Sequence, residues 1–138
     1  MNNKMKFLVL SLTIPFILSA CFLQPSAKMS ITVAKIVTAV DEKLMPINVT
    51  DVFPAGTPKI FCWFQWRNAE VNTTITAKWY FVTDNVHILD YTFTIPRKEG
   101  FGSVSLAMPE GKNLPSGSYR VDLMSGKRLL KSLTFKVE

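Results

Sequence analysis

Residues Thr74-Ile75-Thr76-Ala77-Lys78-Trp79-Tyr80-Phe81 alternate without a break: Ile75, Ala77, Trp79 and Phe81 fall on one side of an extended chain, and Thr74, Thr76, Lys78 and Tyr80 on the other. Alternation at period two, rich in β-branched and aromatic residues, marks a half-buried strand and does not suit a helix. The pattern extends over Asn72 to Thr83 and ends at the turn residues Thr83-Asp84-Asn85. Downstream, His87 to Ile95 repeats it through Leu89, Tyr91, Phe93 and Ile95, and Pro96 to Gly100 breaks it. Phe101 to Met108, Ser118 to Met124 and Arg128 to Val137 follow, the last two joined by a tight hairpin at Ser125-Gly126-Lys127. Gly100-Phe101-Gly102 reads as a hairpin joint, since no third glycine and no helix follow to make a phosphate loop. Upstream lie Lys59 to Arg67 and Ser30 to Val40, separated by an irregular Pro46 to Pro54 passage with a short extended piece. About seven main strands, with Pro and Gly at the joints, predict an all-β fold: an antiparallel sandwich in one domain over 29–138.

The order of core residues refines this. Cys62 falls on the second main strand, Trp79 on the third and Val121 on the sixth, with Tyr119 two residues before Val121. That order resembles the immunoglobulin pattern of a B-strand cysteine, a C-strand tryptophan and a tyrosine corner at the start of strand F. Val121 stands where the second cysteine would be, so the resemblance implies a sandwich held by packing around Trp79 with no inter-sheet disulfide. A fibronectin-type or transthyretin-like sandwich would share the same pattern.

The first twenty residues form a separate object. Lys4 and Lys6 precede a twelve-residue apolar run, Phe7 to Leu18, and Leu18-Ser19-Ala20-Cys21 closes it with small residues before a cysteine. This is export-signal architecture. Twelve helical residues rise about 18 Å, short of the roughly 30 Å hydrocarbon core, and Pro15 weakens a permanent span further. Leu18 to Cys21 resembles the lipobox of bacterial lipoproteins, which implies cleavage before Cys21 and attachment of acyl chains to it. Two or three chains anchor durably where one binds reversibly. In that resemblance Phe22, in place of an aspartate, implies delivery to the outer membrane, facing the periplasm, if the cell is Gram-negative. Phe22 to Lys28 is then a tether of at most about 25 Å. The expected organisation is a signal peptide over 1–20, the lipidated cysteine and tether over 21–28, and the sandwich over 29–138. Phe53, Thr57 and Ile60, then Phe64, Trp66 and Asn68, then Thr76 to Tyr80 and Pro115 to Tyr119 also resemble small bacterial lipoproteins carrying one such domain, a group that brings no catalytic residue set with it.

Charge and cysteine usage narrow the function. The 138 residues carry 16 Lys+Arg and 10 Asp+Glu; removing Lys4 and Lys6 lowers the formal charge from +6 to +4. With no basic-aromatic motif and with export from the cytosol, nucleic acid is not an expected partner. Lys127, Arg128 and Lys131 cluster around the last hairpin, and Arg97-Lys98 marks another turn; either is placed to touch anionic lipid or an acidic partner. Acylation of Cys21 leaves Cys62, in an apolar run, as the one thiol, expected to be a buried structural group. One histidine, His87, and dispersed carboxylates make neither a metal site nor a nucleophilic triad, so no catalytic residue, metal or cofactor is expected.

Strand parity gives one more candidate. If Cys62 faces the core with Ile60, Phe64 and Trp66, then Phe61 and Trp63 face the other way. Two outward aromatics make a candidate partner surface, unless a loop or the Met29 to Phe53 segment covers them. The expected function is a lipid-anchored, non-catalytic interaction or assembly module of the cell envelope. The alternative is an envelope glycan-binding module or enzyme using Trp63 as a stacking platform.

Overall fold

In the computed structural model, which describes residues 28–138, the alternating runs become strands and the Pro, Gly and Asn positions become the turns between them. The export segment, the Leu18 to Cys21 box and the tether as far as Ala27 lie outside the described residues. The strands are β1 (Ser30–Val40), β2 (Pro46–Val49), β3 (Val52–Phe53), β4 (Lys59–Arg67), β5 (Thr74–Phe81), β6 (Val86–Thr94), β7 (Gly100–Ala107), β8 (Gly117–Ser125) and β9 (Arg128–Val137). A single 3-10 turn, Pro109–Gly111, interrupts the β7–β8 connection.

Two sheets face each other, one in the order β2-β1-β4-β7 and the other β3-β9-β8-β5-β6. All pairs are antiparallel except β3 with β9. The fold is an immunoglobulin-like sandwich with one variation in strand allocation. In the constant-type immunoglobulin the fourth main strand joins the first sheet. Here β6 stays beside β5, because the short Val82 to Asn85 turn, with Asn85 at φ 53°, folds it straight back.

Between the sheets lie Trp79, Cys62 and Val121, all fully buried, with Trp79 directly opposite Val121 across β5 and β8. Phe135 organises one half of the core: Tyr119 stacks on it at 5.0 Å, and Trp79 and Phe53 meet it edge-on at 6.1 and 5.9 Å. Each such large apolar side chain contributes about 1.5–3 kcal/mol when fully buried. Tyr119 also donates its hydroxyl to the Pro115 carbonyl four residues upstream, the expected tyrosine corner, now seen in geometry.

The other half closes the side of the sandwich between β6 and β7. Phe93 reaches from one sheet to Phe64 and Trp66 of the other, at 5.5 Å from each. This packing corrects the reading of Gly100-Phe101-Gly102 as a hairpin joint: the three residues lie inside β7. The glycines are there for space. A Cβ on Gly102 would sit 2.8 Å from Phe93, and one on Gly100 would sit 2.9 Å from Trp66.

The strands run between two distinct ends. At one, the chain-entry end, Met29 lies beside the β4–β5 loop (68–73) and the β8–β9 hairpin, and the β6–β7 loop (95–99) is bonded to the β4–β5 loop. The opposite end holds the 41–45, 54–58, 82–85 and 108–116 connections.

Candidate functional site

Trp63 is on the outer face of its sheet, as parity requires, yet it is only 3% exposed. Its cover is the β1–β2 loop. The Asp41 carboxylate accepts the backbone N–H groups of Lys43 and Met45, at 2.8 and 2.9 Å, and Leu44 takes φ 62°. That conformation aims the Leu44 carbonyl at the indole, which donates to it at 2.7 Å. Phe101 of β7 flanks the ring at 5.9 Å. Trp63 is therefore not an open aromatic platform, and the expectation of an outward Trp63 patch is corrected by the covering loop. Phe61 is half-buried, with the Lys59 ammonium 4.9 Å above its ring. A glycan stacking surface at Trp63 loses its geometry for the same reason.

Cys62 points the other way, into the core, and is fully buried. Burial pushes its thiol up to about 12 from 9.0, so it stays protonated and unreactive at neutral pH. Cys21 lies outside the described residues. Among the described residues no three His, Cys, Asp or Glu side chains gather as a metal-holding group.

The basic candidates separate. Lys127 and Arg128 sit at the chain-entry end, and Arg128 donates to the Met29 carbonyl at 2.6 Å, fastening the start of the domain to the last hairpin. Lys131 lies further along β9, opposite Leu123, beside a shallow depression that also includes Lys35 and Asp51. Arg97 and Lys98, treated in the sequence as a separate turn, join the first pair at the entry end.

Three features were not visible in the sequence. One is a cleft of about 300 Å³ at the far end, lined by Phe81, Val86, Ile88, Leu106, Met108 and Leu114. A bulge at Ile88, between the pairs Trp79–Leu89 and Tyr80–His87, turns Val86 and Ile88 toward this cleft. Its walls are mostly apolar, with His87 and Tyr119 also lining it. The second is a polar row on the outer face of the larger sheet: the Arg120 guanidinium lies 4.4 Å from the Tyr80 ring and 3.2 Å from the Asp122 carboxylate, and His87 meets Asp90 at 2.7 Å. The Asp122 carboxylate also accepts the Ser132 hydroxyl at 2.6 Å, and the buried Arg120 Nε, though close to Asp122, makes no hydrogen bond. The third is the pair of edges on one side of the sandwich, β6 and β7, each with one strand neighbour among the described residues. β6 carries the bulge, His87 and Asp90, whereas Gly100–Ala107 contains no charge, no proline and no bulge, and its Phe101 is 38% exposed. An unpaired strand without such guards is a template for another strand.

No protein-family model matches the sequence, and no curated protein matches it. Among solved structures, an immunoglobulin-like protein from Pseudomonas aeruginosa superposes with a TM-score of 0.57 at 17% identity, covering 83% of this chain and 99% of that one. An alkylpurine DNA glycosylase from Pseudomonas fluorescens, bound to DNA containing an abasic site analog, matches over 81% of this chain and 31% of its own, with a TM-score of 0.51 and 14% identity. At these identities the likeness is one of fold.

Proposed function

We propose that the chain is a lipid-anchored, non-catalytic interaction module of the cell envelope, held at a membrane through acylated Cys21 and engaging an extended segment of an envelope protein along β7. The observation that carries the interaction is the β7 edge. Among the described residues its outward backbone N–H and C=O groups have no strand partner, and its residues offer no charge or proline to repel one. Strand addition takes affinity from main-chain hydrogen bonds and specificity from alternate side chains. Phe101, beside covered Trp63, supplies an apolar contact at the start of that edge. The anchor reading rests on Leu18-Ser19-Ala20-Cys21, and in a Gram-negative cell Phe22 supports delivery to the outer membrane, periplasmic face.

Crosslinking in intact cells, followed by affinity recovery and mass spectrometry, tests the proposal. The native chain is expected to recover a defined envelope protein. Ser105→Lys, which places a charge on the outer face of β7 without entering the core, is expected to cut that recovery at least tenfold. Undiminished recovery from the Lys variant, or a monomer crosslinking to no envelope component, contradicts it.

A further inference from the structure

The charge of the domain is divided between its ends. At the chain-entry end stand Lys28, Arg67, Arg97, Lys98, Lys127 and Arg128, all exposed, against Glu70 and Glu99. Among the described residues none of the six basic groups is ion-paired; the ion pairs are His87 with Asp90 and Arg120 with Asp122. The far end has the opposite balance: Asp41, Glu42, Asp51, Asp84, Glu110 and Glu138 against Lys43, Lys59, Lys112 and Lys136. Nine residues of β4 separate the two ends by about 30 Å, several times the roughly 8 Å screening length in physiological salt, so the acidic end does not cancel the basic one.

The basic end is also built as one surface. The Lys98 carbonyl accepts the Ala69 N–H at 2.9 Å and the Arg97 carbonyl accepts the Trp66 indole N–H at 3.0 Å, which ties the β6–β7 loop to the β4–β5 loop. Arg128 ties the β8–β9 hairpin to Met29. The sequence outside the described residues joins this same surface at Lys28, and Cys21 is seven residues away, within about 25 Å.

We infer that the chain-entry end is a membrane-facing surface that docks on anionic phospholipid headgroups, with the acidic end, the far-end cleft and the length of β7 held upright and away from the lipid. The inference rests on the lipid-anchor reading above. Polybasic clusters beside an anchor are drawn to a negative lipid surface within a screening length of it, and the tether is short enough to bring this end there. Chain anchor and charge then act as two signals: acyl chains fix the location and the six cations fix the orientation.

The test uses the processed, lipid-bearing chain reconstituted in vesicles of phosphatidylcholine alone or with one third phosphatidylglycerol. Amine-reactive labelling followed by peptide mass spectrometry reads each lysine. Lys98 and Lys127 are expected to label at least threefold more slowly on the anionic vesicles, with the difference abolished by 0.5 M NaCl, while Lys43 and Lys112 label alike on both. Lys98→Glu with Lys127→Glu is expected to remove the protection of Lys28, and Lys43→Glu with Lys112→Glu to leave it intact. Vesicle flotation reads the anchor separately. A chain that floats yet labels equally at its two ends, or equally on both lipids, overturns the docking face alone; a chain that does not float overturns the anchor and the docking face together. Protection by added dextran sulfate on neutral vesicles, with none from phosphatidylglycerol, assigns the face to an acidic polymer and overturns the lipid assignment.

Discussion

Cys62 is enclosed by strands on both sides, opposite Val104 on β7 and Ile36 on β1, and its thiol has no route to solvent. The folded chain keeps the proton to about pH 12, whereas the unfolded chain releases it near 9.0. The sign follows from that order. Below pH 9 both states hold the proton and the thiol leaves stability unchanged with pH; above it the unfolded state gains by ionising, and stability falls, by up to about 2 kcal/mol at pH 10.5. Tyr119, also pushed up by burial, acts in the same direction. Denaturant melts at pH 8 and pH 10.5 are therefore expected to differ less in Cys62→Ala than in the native chain; an equal loss in both would show that the thiol ionises alike in the two states. Trp63 illustrates a different residue-scale point. Its position on the outer face follows from alternation, but its burial depends on a carbonyl nineteen positions earlier, supplied by a loop whose shape is set by Asp41. Nothing local to the strand encodes that cover.

At the scale of elements, β1, β4 and β9 have the bounds that their alternation and flanking breakers predict, and β5 to β8 differ from expectation by one or two residues. Local pattern carried that far because most strands bury one side more than the other, β4 being the exception where Trp63 is covered on the outer face. It failed where tertiary contact sets the rule. Tyr91, in register with Leu89 and Phe93, is 51% exposed, because β6 is an edge strand with one neighbour. The irregular Pro46 to Pro54 passage splits into β2 and β3, which join different sheets. The glycines of β7 resemble a joint in one dimension and are clearance for two aromatic rings in three. Gly102→Ala measures that clearance: a Cβ 2.8 Å from the Phe93 ring forces the ring or the strand to move. Such overpacking costs about 1–3 kcal/mol, which lowers the melting temperature of a domain this size by several degrees. An unchanged melt would mean that Phe93 does not fill the space against β7.

At the scale of the whole molecule, the candidate surfaces were legible in unequal measure. Lys127, Arg128, Arg97 and Lys98 stand out in the sequence as basic turns, but only the fold brings both turns to the end that holds Lys28 and Met29, and it leaves Lys131 elsewhere. The β7 edge was not legible, since strand order decides which strand lacks a neighbour. Placed together, these features give the domain a polarity: cations beside Lys28 at one end, a mostly apolar cleft at the other, and an unguarded edge along the side. That polarity has meaning for function only if the tether ends in lipid. Metabolic labelling with palmitate tests this most directly, comparing the native chain with Cys21→Ser. Label is expected on the native chain and none on the variant; label that persists after Cys21→Ser, or a native chain that takes up none, contradicts the lipid anchor.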